Sequence, residues 1–416
     1  MVRVSERRGR DVLTGASALE ALGIEVMAGG HRREHLDGAT LVVASPGVPE
    51  HAPVLGWAAE RGLPIWSELE LGSRLCAVPY VAITGTNGKS TTTEMVARIM
   101  SAAGLDAVAC GNIGYPFSLA AREGHDALAV EASSFQLRFH HTFHPKVSVL
   151  LNLAPDHLDW HGSFEEYAAA KARIYELQAE GDTHVGNRDD PTAAAVSERA
   201  PCRVVWFGSE EAPRDLGEGF LGRLREMKDP GTARMWSNRG FLFDAAAAAA
   251  AAAAFGVTAE VAAEGLSSME PLPHRDALIA TVGGVSFVDD SKATNPHAAL
   301  AALEGRRGVV LIAGGLSKGV DLSPLKLAAD RLRGVVAIGE AAQEVVSIFS
   351  PEIPVRRAGS MDDAVREGFA LADGRGDVLL APACASQDMF IDYRDRGERF
   401  AAAVAELAKE VAGRGE

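Results

Sequence analysis

Cysteine is scarce in this chain. Four occur in 416 residues, at positions 76, 110, 202 and 384. None forms a C-x-x-C pair, so neither a thiolate zinc site nor a disulfide framework is suggested, and a reducing, cytoplasmic setting is expected. The opening MVRVSERRGRDVLTG carries no apolar segment of the kind a signal peptide needs. No uncharged apolar run reaches the roughly 18 residues of a membrane span, and the alanine tract is too short to be one, so no membrane partner is expected. Positive charge is also short. Lys and Arg number 41 against 56 Asp and Glu, a formal net charge of −15. Such a surface repels nucleic acid, so no nucleic-acid partner is expected, although a local basic pocket can still hold anions. A strict G-x-x-x-x-G-K-[ST] loop is missing too, because Ile83 stands where its first glycine should be.

What is present is α/β alternation on a scale that fills several cores. The length suits two or three domains, and 47% apolar with 23% charged residues is ordinary for a globular chain. Residues 1–71 alternate short strands and helices, which implies a parallel sheet, but the opening strand and glycine turn of a doubly wound domain are absent. An incomplete Rossmann-like domain is expected there. Its strand ends place Ser5 and Ser45, the latter in Ser-Pro-Gly at 45–47, at the carboxyl edge where such sheets bind ligands. Residues 72–271 read as a nucleotide-binding domain, with a helix over 164–178, a small antiparallel element or loop over 208–240, and a helix through the ten alanines at 245–254. Residues 272–416 read as a doubly wound Rossmann-like domain, with strands near 285–289, 309–313, 335–338 and 378–380.

The central feature lies at 78–100. An apolar strand, Val81-Ala82-Ile83, runs into Thr84-Gly85-Thr86-Asn87-Gly88 and then into a helix at Lys89, Ser90 and Thr91. Strand, glycine loop, Lys-Ser and helix together make a phosphate-binding loop despite the missing first glycine. Backbone N–H groups turn inward at the glycines, and the helix N-terminus adds partial positive charge. Lys89, expected to face solvent, would reach the β/γ-phosphates, and Ser90 or its neighbour would ligate Mg²⁺. Glu131 ends a buried strand and can hold Mg²⁺, or it can serve the Ser133-Ser134 turn. Asp156 and His157 follow another strand, where His157 could be a metal ligand or a hydrogen-bonded loop residue. Lys171, four residues after Tyr167, reads as a solvated helix charge. Arg275 could clamp a γ-phosphate or staple two domains. At the ends of three strands of the last domain stand Asp289-Asp290-Ser291-Lys292-Ala293-Thr294-Asn295, Gly314-Gly315-Leu316-Ser317-Lys318 and Ala383-Cys384-Ala385-Ser386, a pocket for a small carboxylate compound.

TGTNGKST at the loop, GNIG at 111–114, EASSFQL at 131–137, LNLAPDHLDWHG, Tyr167-x-x-x-Lys171, LPHR, DDSKATN and PACASQDMF occur in the order seen in the Mur ligases, and the sequence resembles that family over nearly its whole length. The resemblance implies an ATP-dependent amide-forming ligase. A substrate carboxylate, on UDP-N-acetylmuramoyl-L-alanine, would become an acyl phosphate and be attacked by the amine of D-glutamate. It implies two Mg²⁺, one on Ser90 and Glu131, the other on His157 and a carbamylated Lys171. Asn112 would contact phosphate or the nucleophilic carboxylate, Ser133 would lie on the substrate side, and Asp290 would hold the ATP ribose. Lys292, Thr294, Lys318, Ser386 and Tyr393 would bind D-glutamate, although relatives often carry Phe at the last position. A monomer is expected. Two departures stand out: the missing opening strand, and Phe241-Leu242-Phe243-Asp244 where the family carries Gly-x-His-Asn before the alanine-rich helix. They keep two alternatives open, a homologue that binds without turnover and a Mur ligase for another amino acid.

Overall fold

A computed structural model of the chain describes residues 2–46, 48–112, 114–208, 220–226, 235–236 and 238–413. Gly47 of the Ser-Pro-Gly turn and Ile113 of GNIG lie outside them.

The N-terminal part holds two parallel pairs, not one continuous sheet. β1 (Arg3–Ser5) pairs with β2 (Glu25–Met27), and β3 (Val42–Ala44) with β4 (Ile65–Ser67). No strand among the described residues bonds to both pairs. Arg3 works across the gap instead, donating from Nη1 to the carbonyls of His35 at 2.9 Å and Asp37 at 3.1 Å.

The central sheet is parallel throughout, in the order β10-β9-β8-β5-β7-β6. Its strands are β5 (Tyr80–Thr84), β6 (Ala107–Gly111), β7 (Ala127–Glu131), β8 (Val147–Leu150), β9 (Thr183–Asn187) and β10 (Arg203–Phe207). From β5 the chain first builds outward on one side, to β6 and β7, and then on the other, to β8 and beyond. The carboxyl end of β5 is therefore a topological switch point, where an open α/β sheet leaves a crevice. β5, β7 and β8 are buried along their whole length, which is why they read as continuous apolar runs.

Nine of the ten alanines belong to the helix Arg239–Ala253, with Ala254 as its C-cap, and this helix packs on the helix Lys89–Ala102 that follows the glycine loop. Residues 245–252 are all buried. Small side chains let the two backbones approach closely. The next helix, Ala259–Ser267, comes as near on the other side: a Cβ on Gly265 would lie 3.0 Å from that of Ala102. The tract is thus a packed core element.

Two central expectations need correction. The helix begun at Phe164 ends at Ala172 and tightens into a 3₁₀ turn at Arg173–Tyr175, because Arg173 is drawn to the carbonyls of Arg138 and His140. Within 208–240, expected as antiparallel or loop, the described part contains the helix Phe220–Arg225. Its Phe220, Leu221 and Leu224 enter the central core. Residues 209–219 and 227–234 lie outside the described residues.

The C-terminal sheet has the order β11-β12-β16-β13-β14-β15. β12 (Val285–Asp289), β13 (Val309–Gly314), β14 (Leu332–Ile338), β15 (Val355–Arg357) and β16 (Gly376–Leu380) are parallel, and β11 (Ala277–Val282) forms an antiparallel edge. The ends of β12, β16 and β13 are direct neighbours, so the three polar loops read from the sequence meet. The helix Tyr393–Gly413 closes this sheet, with Phe400 and Val404 in its core. Among the described residues, no helix is long and apolar enough to cross a membrane.

Candidate active site

A single cavity of about 890 Å³ gathers loops from both six-stranded sheets. Its floor is the phosphate loop. Gly88 caps the following helix with φ +83°, a left-handed conformation, and a Cβ there would collide with the Asp244 carboxylate. Both conditions demand glycine. Gly88→Ala should therefore lower stability by about 1–3 kcal/mol. Nucleotide affinity should fall with it, and calorimetry with titration of ADP checks both.

The loop is tied down by side chains whose mutual contacts the sequence did not reveal. Asn152, after β8, accepts from the Asn87 N–H at 2.8 Å and returns a bond to the Asn87 carbonyl at 3.1 Å. Thr86 Oγ1 donates to the Ala154 carbonyl and accepts from the Tyr167 hydroxyl, each at 3.1 Å. On the far side, Asn87 and Asn295 exchange amide hydrogen bonds of 3.1 and 3.2 Å, and Asn295 also donates to Asp156 at 3.0 Å. The central and C-terminal sheets thus meet directly over the phosphate loop.

Two lysines converge on one carbonyl. Lys89 Nζ donates to Gly85 O at 2.9 Å and to Thr86 O at 2.8 Å, so it lies partly buried against the loop and does not face solvent. Lys171 Nζ donates to the same Gly85 O at 2.8 Å and sits 4.6 Å from the Tyr167 ring centre. Lys171 is only 2% exposed, so its reading as a solvated charge is wrong. A helix surface position cannot be told from a buried one when the covering segments come from distant parts of the chain. Burial, and then the Lys89 charge, hold the Lys171 ammonium well below its ordinary pKa. Lys89 is lowered by burial as well, but Glu131 and Asp156 oppose that shift.

Glu131 is buried at the end of β7. Its Oε1 accepts from Asn112 at 2.8 Å, while its Oε2 is buried with no hydrogen-bond partner. A bare buried carboxylate oxygen in a cavity that Ser90 also lines is a position that a cation would satisfy. His157 adopts a left-handed conformation (φ 54°), and burial lowers its imidazole to a pKa of about 3, leaving a neutral ring suited to ligation. Its neighbour Asp156 lies 3.7 Å from Lys318 Nζ. Among the described residues no three His, Cys, Asp or Glu side chains cluster as a ready metal site. The set present is instead one carboxylate, one hydroxyl, one imidazole and two amines, a set that needs a ligand's own oxygens to complete it.

Arg275 projects into the cavity between His274 and Asp276, both at positive φ (62° and 50°). His274 is held by Asp289 at 2.7 Å, and Asp276 pairs with Arg306. Such strain persists where surrounding bonds over-determine it. Burial raises both Asp244 and Asp290 to pKa values of about 7, against the pull of the nearby Arg275 charge. The segment replacing Gly-x-His-Asn therefore still lines the cavity, through Phe241, Phe243 and Asp244.

The cavity brings together most of the residues singled out in the sequence. Thr86, Asn87, Gly88, Lys89, Ser90 and Thr91 line it, as do Asn112, Glu131, Ser133, His157 and Lys171. Arg275, Asp290, Lys292 and Thr294 complete the set from the C-terminal side. Burial lowers Lys292 to a pKa of about 8, and its Nζ stands 3.9 Å from the Tyr393 ring centre. Six residues do not line it. Gly85 lies beneath the loop, Lys318 points to Asp156, Tyr393 sits under Lys292, and Ser386 is buried in its own turn. Ser5 is bonded to His31 and His35 at 2.8 and 2.7 Å in the N-terminal part, and Ser45 is exposed.

Residues 83–227 match the Mur ligase middle domain family. The chain is 46% identical over 413 residues to a UDP-N-acetylmuramoylalanine–D-glutamate ligase of Frankia casuarinae, covering 94% of this chain and 85% of that protein. It is 42% identical over 430 residues to the enzyme of the same name from Streptomyces avermitilis, covering 94% and 89%. Among solved structures, a MurF ligase from Thermotoga maritima in complex with ADP has a similar fold, with a TM-score of 0.62 at 19% identity over 91% of this chain and 97% of that one.

Proposed function

The chain belongs to the Mur ligase family, and on that premise we propose how its cavity performs the family's reaction. The protein is an ATP-dependent amide-forming ligase that joins D-glutamate to UDP-N-acetylmuramoyl-L-alanine in peptidoglycan precursor synthesis. The observation that carries the site assignment is the meeting, in one cavity, of Lys89, the unpartnered Glu131 oxygen and buried Lys171 with Lys292 and Thr294 of the C-terminal sheet.

The phosphate loop holds the ATP triphosphate through its backbone N–H groups and the helix N-terminus. The alanine carboxylate of the precursor attacks the γ-phosphorus and ADP departs, leaving an acyl phosphate. The D-glutamate amine then attacks the acyl carbon, and phosphate leaves. Lys89 turns from the loop carbonyls to the transferring phosphoryl group, and Arg275 meets the same charge from the C-terminal side. Asn112 orients the attacking carboxylate, with Ser133 beside it. Asp290 holds the ATP ribose. Ser90 and Glu131 would hold one Mg²⁺, and His157 and Lys171 would hold a second; bound there, the ions would supply positive charge to neutralise the phosphates. Burial shifts Lys171 toward the free amine, the form that would add CO₂ to become a carbamate, and such an anion would suit a cation at His157. The paired amides of Asn87 and Asn295 hold the C-terminal strand end against the loop. Lys292, Thr294, Lys318, Ser386 and Tyr393 hold D-glutamate by its carboxylates. Residues 1–71, 72–271 and 272–416 act as the precursor-, ATP- and amino-acid-binding domains of a cytoplasmic monomer.

The test is phosphate release on mixing ATP, Mg²⁺, UDP-N-acetylmuramoyl-L-alanine and D-glutamate, with L-glutamate as control. Release with neither isomer would sink the reading. Within it, Lys318→Ala should raise the KM for D-glutamate about tenfold or more, while the KM for ATP stays within about threefold. Equal rises in both would show that Lys318 serves the Asp156 contact and not the amino acid.

A further inference from the structure

Arg396 is completely buried, a rare placement for a guanidinium. It lies on the first turns of the helix Tyr393–Gly413 and reaches under the carboxyl ends of β12, β16 and β13. Its Nε donates to Ser291 Oγ at 2.9 Å and its Nη2 to Ser291 O at 2.8 Å. Its Nη1 donates to the carbonyls of Cys384 at 3.1 Å and Ala385 at 3.3 Å. A Cβ built on Gly315 would lie 3.4 Å from the same Nη1. One planar fork therefore bonds two of the loops and lies close to the third, which is itself tied to Ala385 by the paired Leu316–Ala385 backbone bonds, and Ser291 is further fixed by donating from Oγ to Tyr393 O at 2.8 Å.

These loops carry Lys292 and Thr294, Lys318, and Ser386. The hydrogen bonds of Arg396 go to Ser291, Cys384 and Ala385 rather than to those residues, yet each of them is within three residues of a group that Arg396 bonds or lies close to. The backbone beside the fork is strained: Ala383 has φ 60° and Lys318 φ 55°. Left-handed conformations in non-glycine residues persist only when the surroundings over-determine them. Arg396 contributes to holding the turn beside Ala383, whose own N–H donates to Ala293 O at 2.9 Å, and without it the buried carbonyls of Ser291 and Cys384 would lose a charged donor.

We propose that Arg396 is a positioning residue for amino-acid recognition, a buried clamp that sets the spacing of the three loops holding the glutamate carboxylates. The inference rests on the assignment of those loops to D-glutamate. Lysine cannot replace the fork, because a single ammonium cannot serve Ser291 and the 384–385 carbonyls together.

The experiment compares wild type, Arg396→Lys, Ser291→Ala and Phe400→Leu in the full-length enzyme. Phe400 lies on the same helix but packs only in the apolar core against Phe287, so it reports generic loosening. KM for D-glutamate, KM for ATP and thermal midpoint are measured for each. Arg396→Lys should raise the KM for D-glutamate about tenfold or more, because displacement of about an ångström at a site costs up to 10²-fold. Its KM for ATP should move less than about twofold. Ser291→Ala, which removes one bond and leaves the fork, should raise the same KM about threefold. The proposal is overturned if both variants keep the wild-type KM for D-glutamate, or if Phe400→Leu with a matching loss of thermal midpoint raises it equally. Should Arg396→Lys fail to fold, the comparison of Ser291→Ala with Phe400→Leu decides alone. Wild-type enzyme that releases no phosphate with D-glutamate would instead remove the functional reading, a different result from a working enzyme whose variants are unaffected.

Discussion

Lys89→Ala should reduce D-glutamate-dependent phosphate release by about 10²-fold or more, the usual effect of removing a donor that stabilises transition-state charge. The fold should survive. Lys89 makes two bonds to loop carbonyls, and one of them, Gly85 O, keeps Lys171 as a donor. The cost of partly burying an ammonium disappears with it, so stability should shift by no more than about 1 kcal/mol. Circular dichroism and a thermal melt establish the fold, and a coupled phosphate assay reads the rate. A variant that kept turnover would show that the loop does not hold the reacting phosphate.

Lys171→Met should separate activity from stability more sharply. Activity should collapse, because the variant has no amine to carry a carbamate. Short carboxylates added to Lys171→Ala should restore part of the rate by filling the space of the missing anion. No rescue, together with full turnover of Lys171→Ala in carbonate-free buffer, would end the carbamate assignment. Stability should move the other way. Burial holds the Lys171 ammonium well below its ordinary pKa, so the unfolded chain binds a proton that the folded chain gives up. The group therefore costs stability near neutrality, and the cost shrinks as pH rises toward the unfolded lysine value of about 10.4. In metal-free, carbonate-free buffer, Lys171→Met should melt higher than wild type at pH 6.5, with the gap narrowing by pH 9.5. A gap that widened with pH would mean that the folded enzyme holds Lys171 charged.

The order of elements was readable because the α/β alternation imposes local patterns. β5, β7 and β8 are buried on both faces, so their apolar runs stood out, and Gly88 and Lys89 marked the loop. Strands with weaker burial escaped: β15 (Val355–Arg357) carries two arginines, and much of β11 is exposed. The helix Phe220–Arg225 escaped because its charged, glycine-rich surroundings masked the three residues that pack inward.

Within the site, the sequence by itself located the glycine loop at 84–88, the carboxylate at the end of β7 and the three polar strand ends of the last sheet. Each is a residue type at a fixed offset from a strand end, and that offset is local. Only the tertiary structure decided that Lys171 is buried against Gly85, that Glu131 has a bare oxygen, that Asn87 meets Asn295, and that Arg396 joins Ser291 to the 384–385 carbonyls. Those facts depend on residues up to 208 positions apart in the chain being brought into contact. Burial and charge proximity are properties of such contacts. They decide whether a lysine is a solvated cation or a buried group with a lowered pKa, and no spacing along the chain records them.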